Sequence, residues 1–514
     1  MNLKRYLLAL ILVPSISYSA TYYVSNLGGG NQNGSTWSNA YNVANLQTAI
    51  DGASYGDHVW VACGTYLTTT GTDRSISFSM KTGVEIYGGF QGTESLLTER
   101  EISCGSCSVL SGEIGNSGNT DNSYKVVYNN TMDSTAVMDG FIIRDGNDDR
   151  NPTSSGNGLG GGIYNHGYGF QGHCDPVIRN CIFTNNQASW GAGAFNNGYN
   201  TGSTEPTYIN CIFHQNHALI EAGGMDSYGV GGTASPLIVN TIFYGNTSAT
   251  NVGAMYAWGG GQGGNCHPVL VNCLFANNVA QNGYGGAFIA NNADQSGGGA
   301  SGSCTVTLQN CIVRNNTASG DDQSFNLRGN GALVIATNSN VDMSGQSATS
   351  PLSGSGNIDV DPQFSNVSNG SGLDNCWLTA DDGLRLQSTS LCINSGISTS
   401  HYDFDISNVN ARTIDGVTDM GPYEYSSITT AVNTFSNNSP YAIAPNPAIN
   451  AVTILGTNFK EVKWSLYNCL GQNQMNNVHV ITGDSKSITF DINKLNPGIY
   501  IVSINGSAAR FVKK

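Results

Sequence analysis

Glu221 and Asp226 stand close together in the chain, with His214 and His217 just ahead of them. Carboxylates beside imidazoles are the groups that general acid–base chemistry on a sugar bond would use. If the chain carries catalysis, Glu221, Asp226 and His217 are the candidates; surface solvation is the simpler account. Asp148/Asp149 and Asp321/Asp322 are also adjacent acids, but neighbours on a strand face opposite ways and could not flank one bond. Proton abstraction from an acidic sugar needs a base, commonly Lys or Arg, and a charge neutraliser such as Ca²⁺. No lysine lies between Lys125 and Lys460, which leaves Arg144, Arg150, Arg179, Arg314, Arg328, or a His or Tyr. The balance leans away from an enzyme. A second set, Tyr164, His166, Asp226, Tyr228, Tyr256 and Trp258, suits binding, because rings stack on sugar faces while acids and imidazoles meet hydroxyls. The alternative is that these rings pack under Gly-rich insertions near 259–264 and 297–302.

A repeat must position these residues. PVIRNCIFTNN from Pro176, PTYINCIFHQN from Pro206, PLIVNTIFYGN from Pro236 and PVLVNCLFANN from Pro268 restate one another, and VTLQNCIVRNN from Val306 is a fifth copy. Asn180, Asn210, Asn240, Asn272 and Asn310 share one position, spaced 30, 30, 32 and 38 residues apart. A period of this size marks a solenoid. Phe183, Phe213, Phe243 and Phe275 each precede an Asn by three, and a Gly, a small residue and an apolar residue follow. One repeat cannot bury its apolar side chains alone, so coils must stack at ~4.8 Å and share a core. Asn and Gly supply the left-handed corners. Ile163, Phe195, Met225, Met255 and Phe288 are expected to form an internal ladder. Cys181, Cys211, Cys273 and Cys311, interrupted by Thr241, are expected to form another, as packing groups. Tyr164, Asn196, Asp226, Tyr256 and Ile289 should then face solvent, followed on the same face by His166, Gly198, Tyr228, Trp258 and Asn291. Alternation leaves open whether Ile182, Ile212, Ile242, Leu274 and Ile312, or their Cys and Phe neighbours, point inward.

These FxxN and GGA-type repeats resemble those of the polymorphic outer-membrane proteins and, more broadly, right-handed parallel β-helices of the pectin-lyase-like class, over most of residues 136–340. The resemblance implies an all-β solenoid and is nearly silent on function, since such shafts serve as lyases, hydrolases, adhesins and stalks. No GHG, RIK-like or RxPxxR motif of the known β-helix enzymes is present. NVANLQTAIDGA, with Val43, Leu46, Ile50 and Ala53 at helical spacing, is expected to plug the first coil. Asp361–Phe364, Leu384–Gly396, Asp403–Asp405, Arg412 and Asp419–Tyr425 resemble the segment that closes many surface β-helices. Its carboxylates could coordinate Ca²⁺, but ion pairing with Arg385 or Arg412 is the simpler reading; no other cofactor is expected. Further on, PNP at 445–447, YNCLGQ ending at Gln472, LNPGIY from Leu495 and the basic Lys513 and Lys514 resemble the type A sorting domain of type IX secretion cargo. That implies the type IX machinery as partner, passage across the outer membrane, and removal of a small C-terminal β-sandwich. The product would be released or attached to surface lipopolysaccharide.

The expected division is a signal peptide (1–20), an N-terminal cap with the first coils (21–135), β-helix repeats (136–356), a closing segment (357–425), a linker (426–440) and the sorting domain (441–514). Lys4 and Arg5 ahead of the apolar run Leu7–Val13 and the small residues Ser17, Ser19 and Ala20 form the signal peptide. No other stretch is long and apolar enough to span a membrane. With 20 Lys+Arg against 35 Asp+Glu and a net charge of −15, nucleic acid is excluded and polyanionic polysaccharides are disfavoured unless a cation bridges. Among 13 cysteines, Cys104 and Cys107 are local enough to bridge, and Cys266 and Cys304 could lie on adjacent coils. The reading is an extracellular or cell-surface protein that adheres to or binds a polysaccharide or surface glycan without catalysis. A polysaccharide lyase or glycoside hydrolase, and a passive stalk, are the alternatives.

Overall fold

The computed structural model describes residues 19–513, apart from 103–106, 154–155, 295–301, 399–402, 408–409, 414–416, 426–441, 445–447, 456–463, 469–472, 484–486 and 505–506. Residues 1–18 of the expected signal peptide, the PNP motif and the expected linker fall outside the described residues. Two compact units separate at Tyr425/Ser426.

The first unit is a parallel β-helix. In the coil that starts at Pro176, Val177–Arg179 forms wall one, Ile182–Thr184 wall two, Gln187–Trp190 wall three and Ala194–Asn197 wall four. Each strand pairs in parallel with its equivalent one coil away, as Ile182–Thr184 does with Ile212–His214. The corner between walls one and two is the repeated Asn, held at φ near 50° at Asn180, Asn210, Asn240, Asn272 and Asn310. Asn is among the few non-glycine residues that accept that conformation. The second repeated Asn is internal. Asn216 Nδ2 donates to Phe183 O (2.9 Å) and Asn246 Oδ1 (2.9 Å), and Asn246 Nδ2 repeats this with Phe213 O and Asn278 Oδ1. The FxxN spacing is thus the geometry by which a buried amide satisfies the corner backbone of the preceding coil.

Phe183, Phe213, Phe243 and Phe275 stack face to face inside, with centroids 4.5, 4.9 and 4.7 Å apart. Cys181, Cys211, Cys273 and Cys311 join them in the core as buried thiols. Ile182, Ile212, Ile242, Leu274 and Ile312 point the other way yet are also buried, under Phe364, Trp377, Leu384, Leu386, Ile406, Met420 and Tyr423. The described part of residues 357–425 therefore lies along the outer flank of wall two. Asn240 and Asn310 donate to the carbonyls of Phe404 and Ile397 (2.9 and 2.8 Å) to seat them. Both columns are apolar because both are covered. At the other end, the helix Leu46–Gly52 buries Leu46, Ala49 and Ile50 in the same core as the first strand, Thr21–Val24.

Three expectations change. Cys107 bridges Cys63, not Cys104, because Gly64–Leu67 and Ser108–Ser111 pair directly after the two cysteines. The internal ladder runs Ile163, Ala194, Met225, Met255, Phe288. Phe195 falls on the outer column beside Tyr164 and Asp226, because the register slips by one residue between Ala188 and Trp190 against His217–Glu221, a bulge. The outer columns accordingly read Tyr164, Phe195, Asp226, Tyr256, Ile289 and then His166, Asn197, Tyr228, Trp258, Asn291, with Asn196 turned inward and Gly198 beyond the strand. They do not face open solvent: Tyr164, Asp226 and Tyr256 are at most 2% exposed and Tyr228 5%. The turns from wall three into wall four, carrying Leu159, Trp190, Ala222 and Val252, pack over them.

The second unit holds two antiparallel sheets. Ala442–Ala444, Ala451–Leu455, His479–Gly483 and Ser487–Asp491 form one; Trp464–Asn468, Gly498–Ile504 and Ser507–Lys513 form the other. Val452, Ile454, Phe490, Leu466, Tyr500 and Val502 make the shared core of a small β-sandwich.

Candidate functional site

Lys125 sits just before the wall-four strand Val127–Asn130, and Asp148 ends the wall-three strand Asn147–Asp148. Stacking of consecutive coils brings them together: Lys125 Nζ bonds Asp148 Oδ2 and the carbonyl of Gly156 (2.8 Å). Arg150 clamps the same carboxylate with two hydrogen bonds, Nε to Oδ1 (2.7 Å) and Nη2 to Oδ2 (2.8 Å). Arg74 reaches Asp149 (3.0 Å). The Arg150 and Arg74 guanidiniums lie 3.7 and 4.4 Å from the centre of the Tyr124 ring. The Lys125 ammonium lies 5.0 Å from that of Tyr164. Tyr164 Oη accepts from Asn197 Nδ2 (2.7 Å) and shares a hydrogen bond with His166 Nδ1 (2.9 Å). Beside them lies a cavity of about 470 Å³ lined by Tyr124, Lys125, Tyr128, Arg150 and Tyr164, with Ile76 and Phe78.

Three cations thus meet two carboxylates. Burial brings the Lys125 pKa down to about 8, against the opposing pull of Asp148. Asp148, although buried, is held below the ordinary carboxylate range by hydrogen bonds and charge from Arg150 and Lys125. Burial also lowers His166 and raises Tyr164, so both rings are neutral at physiological pH. The cavity is a cationic, tyrosine-walled pocket on an acidic chain.

Of the sequence-predicted binding residues, Tyr164 lines this pocket and His166 bonds it. Tyr228 and Trp258 continue the same face upward, their rings 5.3 Å apart, and Trp258 Nε1 donates to Ala293 O (2.8 Å). Tyr256 is sealed beneath, accepting from Asn291 Nδ2 (2.7 Å). Asp226 is 1% exposed, and burial, with Glu221 adding, pushes its pKa well up. Glu221 is held by Asn251 (3.1 Å) and Arg328 (3.9 Å). His217 bonds Thr247 Oγ1 (2.8 Å) on wall three, whereas His214 packs on Trp377 at wall two. The acid–imidazole group therefore does not converge. Lys125, Arg74, Tyr124 and Tyr128 were not singled out from sequence. The signal was Lys125 itself, the last lysine before a long lysine-free run.

No group of three or more His, Cys, Asp or Glu among the described residues is placed to hold a metal. In the flank segment, Asp405, Asp419 and Glu424 already accept the backbone N–H groups of Ser407, Asn394 and Asp419. Arg412 pairs with Glu424 at 3.3 Å. Arg385 instead donates to Thr379 O (2.9 Å) and lies over Tyr423.

The fold is a parallel β-helix followed in the chain by a small β-sandwich. Residues 442–514 match the family model of the secretion system C-terminal sorting domain. The chain is type IX cargo, carried across the outer membrane to the cell surface or beyond. No curated protein matches it. Among solved structures, it is similar to a crystal structure of pectate lyase Pel9A (TM-score 0.46, 15% identity, covering 80% of this chain and 98% of that one). It is also similar to one of alginate lyase from Paenibacillus sp. str. FPU-7 (TM-score 0.20, 12% identity, covering 66% and 99%).

Proposed function

We propose that this exported β-helix protein binds an acidic extracellular glycan in the Lys125 pocket without cleaving it. One observation carries the reading: Lys125 and Arg150 converge with Tyr124, Tyr128 and Tyr164 on one cavity of about 470 Å³, with Arg74 over the Tyr124 ring beside it. Guanidiniums meet carboxylate or sulfate groups, and tyrosine faces meet the apolar faces of sugar rings. The net charge of −15 does not forbid this, because exposed charges more than about 10 Å away are screened by salt while local cations are not. In a panel of acidic and neutral polysaccharides, the acidic ones should be retained with no new chain ends. Retention of neutral polymers alone, or of none, would sink the proposal.

A second reading is cleavage by β-elimination, favoured by the lowered pKa of Lys125. When Lys125 gives up its proton, Arg150 still neutralises Asp148, so no buried carboxylate is stranded. Neutral Lys125 would then take the proton α to a uronate carboxyl. The C–O bond one carbon further breaks, leaving an unsaturated sugar, and water protonates the departing oxygen. Unsaturated ends produced by the wild type and not by Lys125→Met would favour this reading over the first.

A further inference from the structure

Tyr168 and Tyr199 occupy the same turn of successive coils, just past wall four. Their rings stack at 5.7 Å and 29°, both are half-exposed, and Phe170 beside them is 83% exposed. The turn is pinned: a Cβ on Gly167 or Gly198 would lie 1.9 Å from Ser203 O or 1.6 Å from Thr233 O, so no side chain fits and the backbone rests against the next coil. Ring contacts run without a break from the pocket along the shaft. Tyr164 to His166 is 5.4 Å, His166 to Tyr168 5.7 Å, Tyr199 to Tyr228 5.5 Å and Tyr228 to Trp258 5.3 Å. Exposed Asn130, Thr131, Asn200 and Thr201 flank this line with amides and hydroxyls.

We infer that this rail is a series of sugar subsites, so that a polymer held in the Lys125 pocket continues along the shaft axis over Tyr168, Tyr199 and Trp258. The inference rests on the glycan-binding reading above and adds the polymer's path and length. Continuity with the pocket argues for one ligand across both. From the coil of Tyr128 to that of Trp258 is four coil steps, about 19 Å at the strand spacing, room for roughly four sugar rings. Half-exposed rings beside short polar side chains offer what a pyranose presents, a C–H face and peripheral hydroxyls.

The test is calorimetric titration of the full chain with galacturonic-acid oligomers of two and six units. Wild type should bind the hexamer about tenfold more tightly than the dimer, the worth of roughly two ring contacts. Tyr168→Ala/Tyr199→Ala should lose that gain and keep dimer affinity, while Tyr168→Phe/Tyr199→Phe, which preserves the faces, should keep both. Melting curves identify a variant that fails to fold. A hexamer no tighter than the dimer, or a length gain that survives the double alanine variant, overturns the rail alone. If neither oligomer binds, the pocket reading falls and takes the rail with it.

Discussion

Asp148→Asn should destabilise the shaft by about 1–2 kcal/mol at neutral pH, below the usual cost of stranding one member of a buried ion pair. Asp148 is wholly buried and Lys125 is 7% exposed, so water cannot replace the lost negative charge, and the ammonium is left with neutral acceptors, the amide oxygen of the new Asn and the carbonyl of Gly156. Lys125 has one escape, to shed its proton. From its pKa of about 8 in the folded wild type, that costs about 1 kcal/mol at pH 7 and essentially nothing at pH 9. This route caps the loss, so the penalty should narrow to near zero by pH 9. Above about 8 Lys125 is mostly neutral in the wild type as well, so both proteins then hold the same uncharged amine. Urea unfolding of both proteins at pH 6, 7.5 and 9 reads this directly. Lys125→Met added to Asp148→Asn should recover most of the loss at every pH. An equal penalty at pH 7 and pH 9, or none at pH 7, would refute the buried-pair account.

Glu424 is pushed up to about 8 chiefly by burial, with Asp419 adding and Arg412 opposing. Its contribution to stability is therefore full below the ordinary 4.5 and lost as pH rises through 8. The thermal midpoint should fall across that window, and Glu424→Gln should flatten the fall; an unchanged slope contradicts this. Phe243→Ala opens a hole between two stacked rings and should cost about 3–5 kcal/mol in denaturant unfolding, whereas a loss under 1 kcal/mol would speak against a tightly stacked interior. Burial raises the Cys181 and Cys211 thiols, Cys181 to about 12. A thiol reagent should label neither in the folded chain and both in denaturant; rapid native labelling would place them outside the core.

The solenoid was legible because its repeat records backbone geometry: Asn180 and its equivalents mark a left-handed corner, and Asn216 and its equivalents a buried amide. What lay outside the pattern was invisible to it. Ile182 and Phe183 are equally apolar because one faces the interior and the other a strap more than 170 residues downstream, so alternation cannot rank them. Phe195 was displaced by a one-residue bulge that counting from Asn186 cannot detect. The pocket was missed for a related reason. Lys125 and Asp148 lie 23 residues apart, before the regular repeats begin, and only the stacking of two coils makes them partners. Tyr164 and His166 belong to the periodic part, where counting along the repeat reaches them. Cys63 and Cys107 meet across 44 residues, where a neighbouring CxxC drew the eye to the wrong pair.

The most direct trial is to titrate the full chain calorimetrically with uronic-acid oligomers and neutral oligomers of equal length, at low and at physiological salt. The acidic series should bind, weaken as salt rises, and lose about tenfold or more with Arg150→Ala, as expected for a desolvated guanidinium contact. Equal affinity for the neutral series, indifference to salt, or an Arg150→Ala variant that binds like wild type would contradict an acidic glycan in the Lys125 pocket.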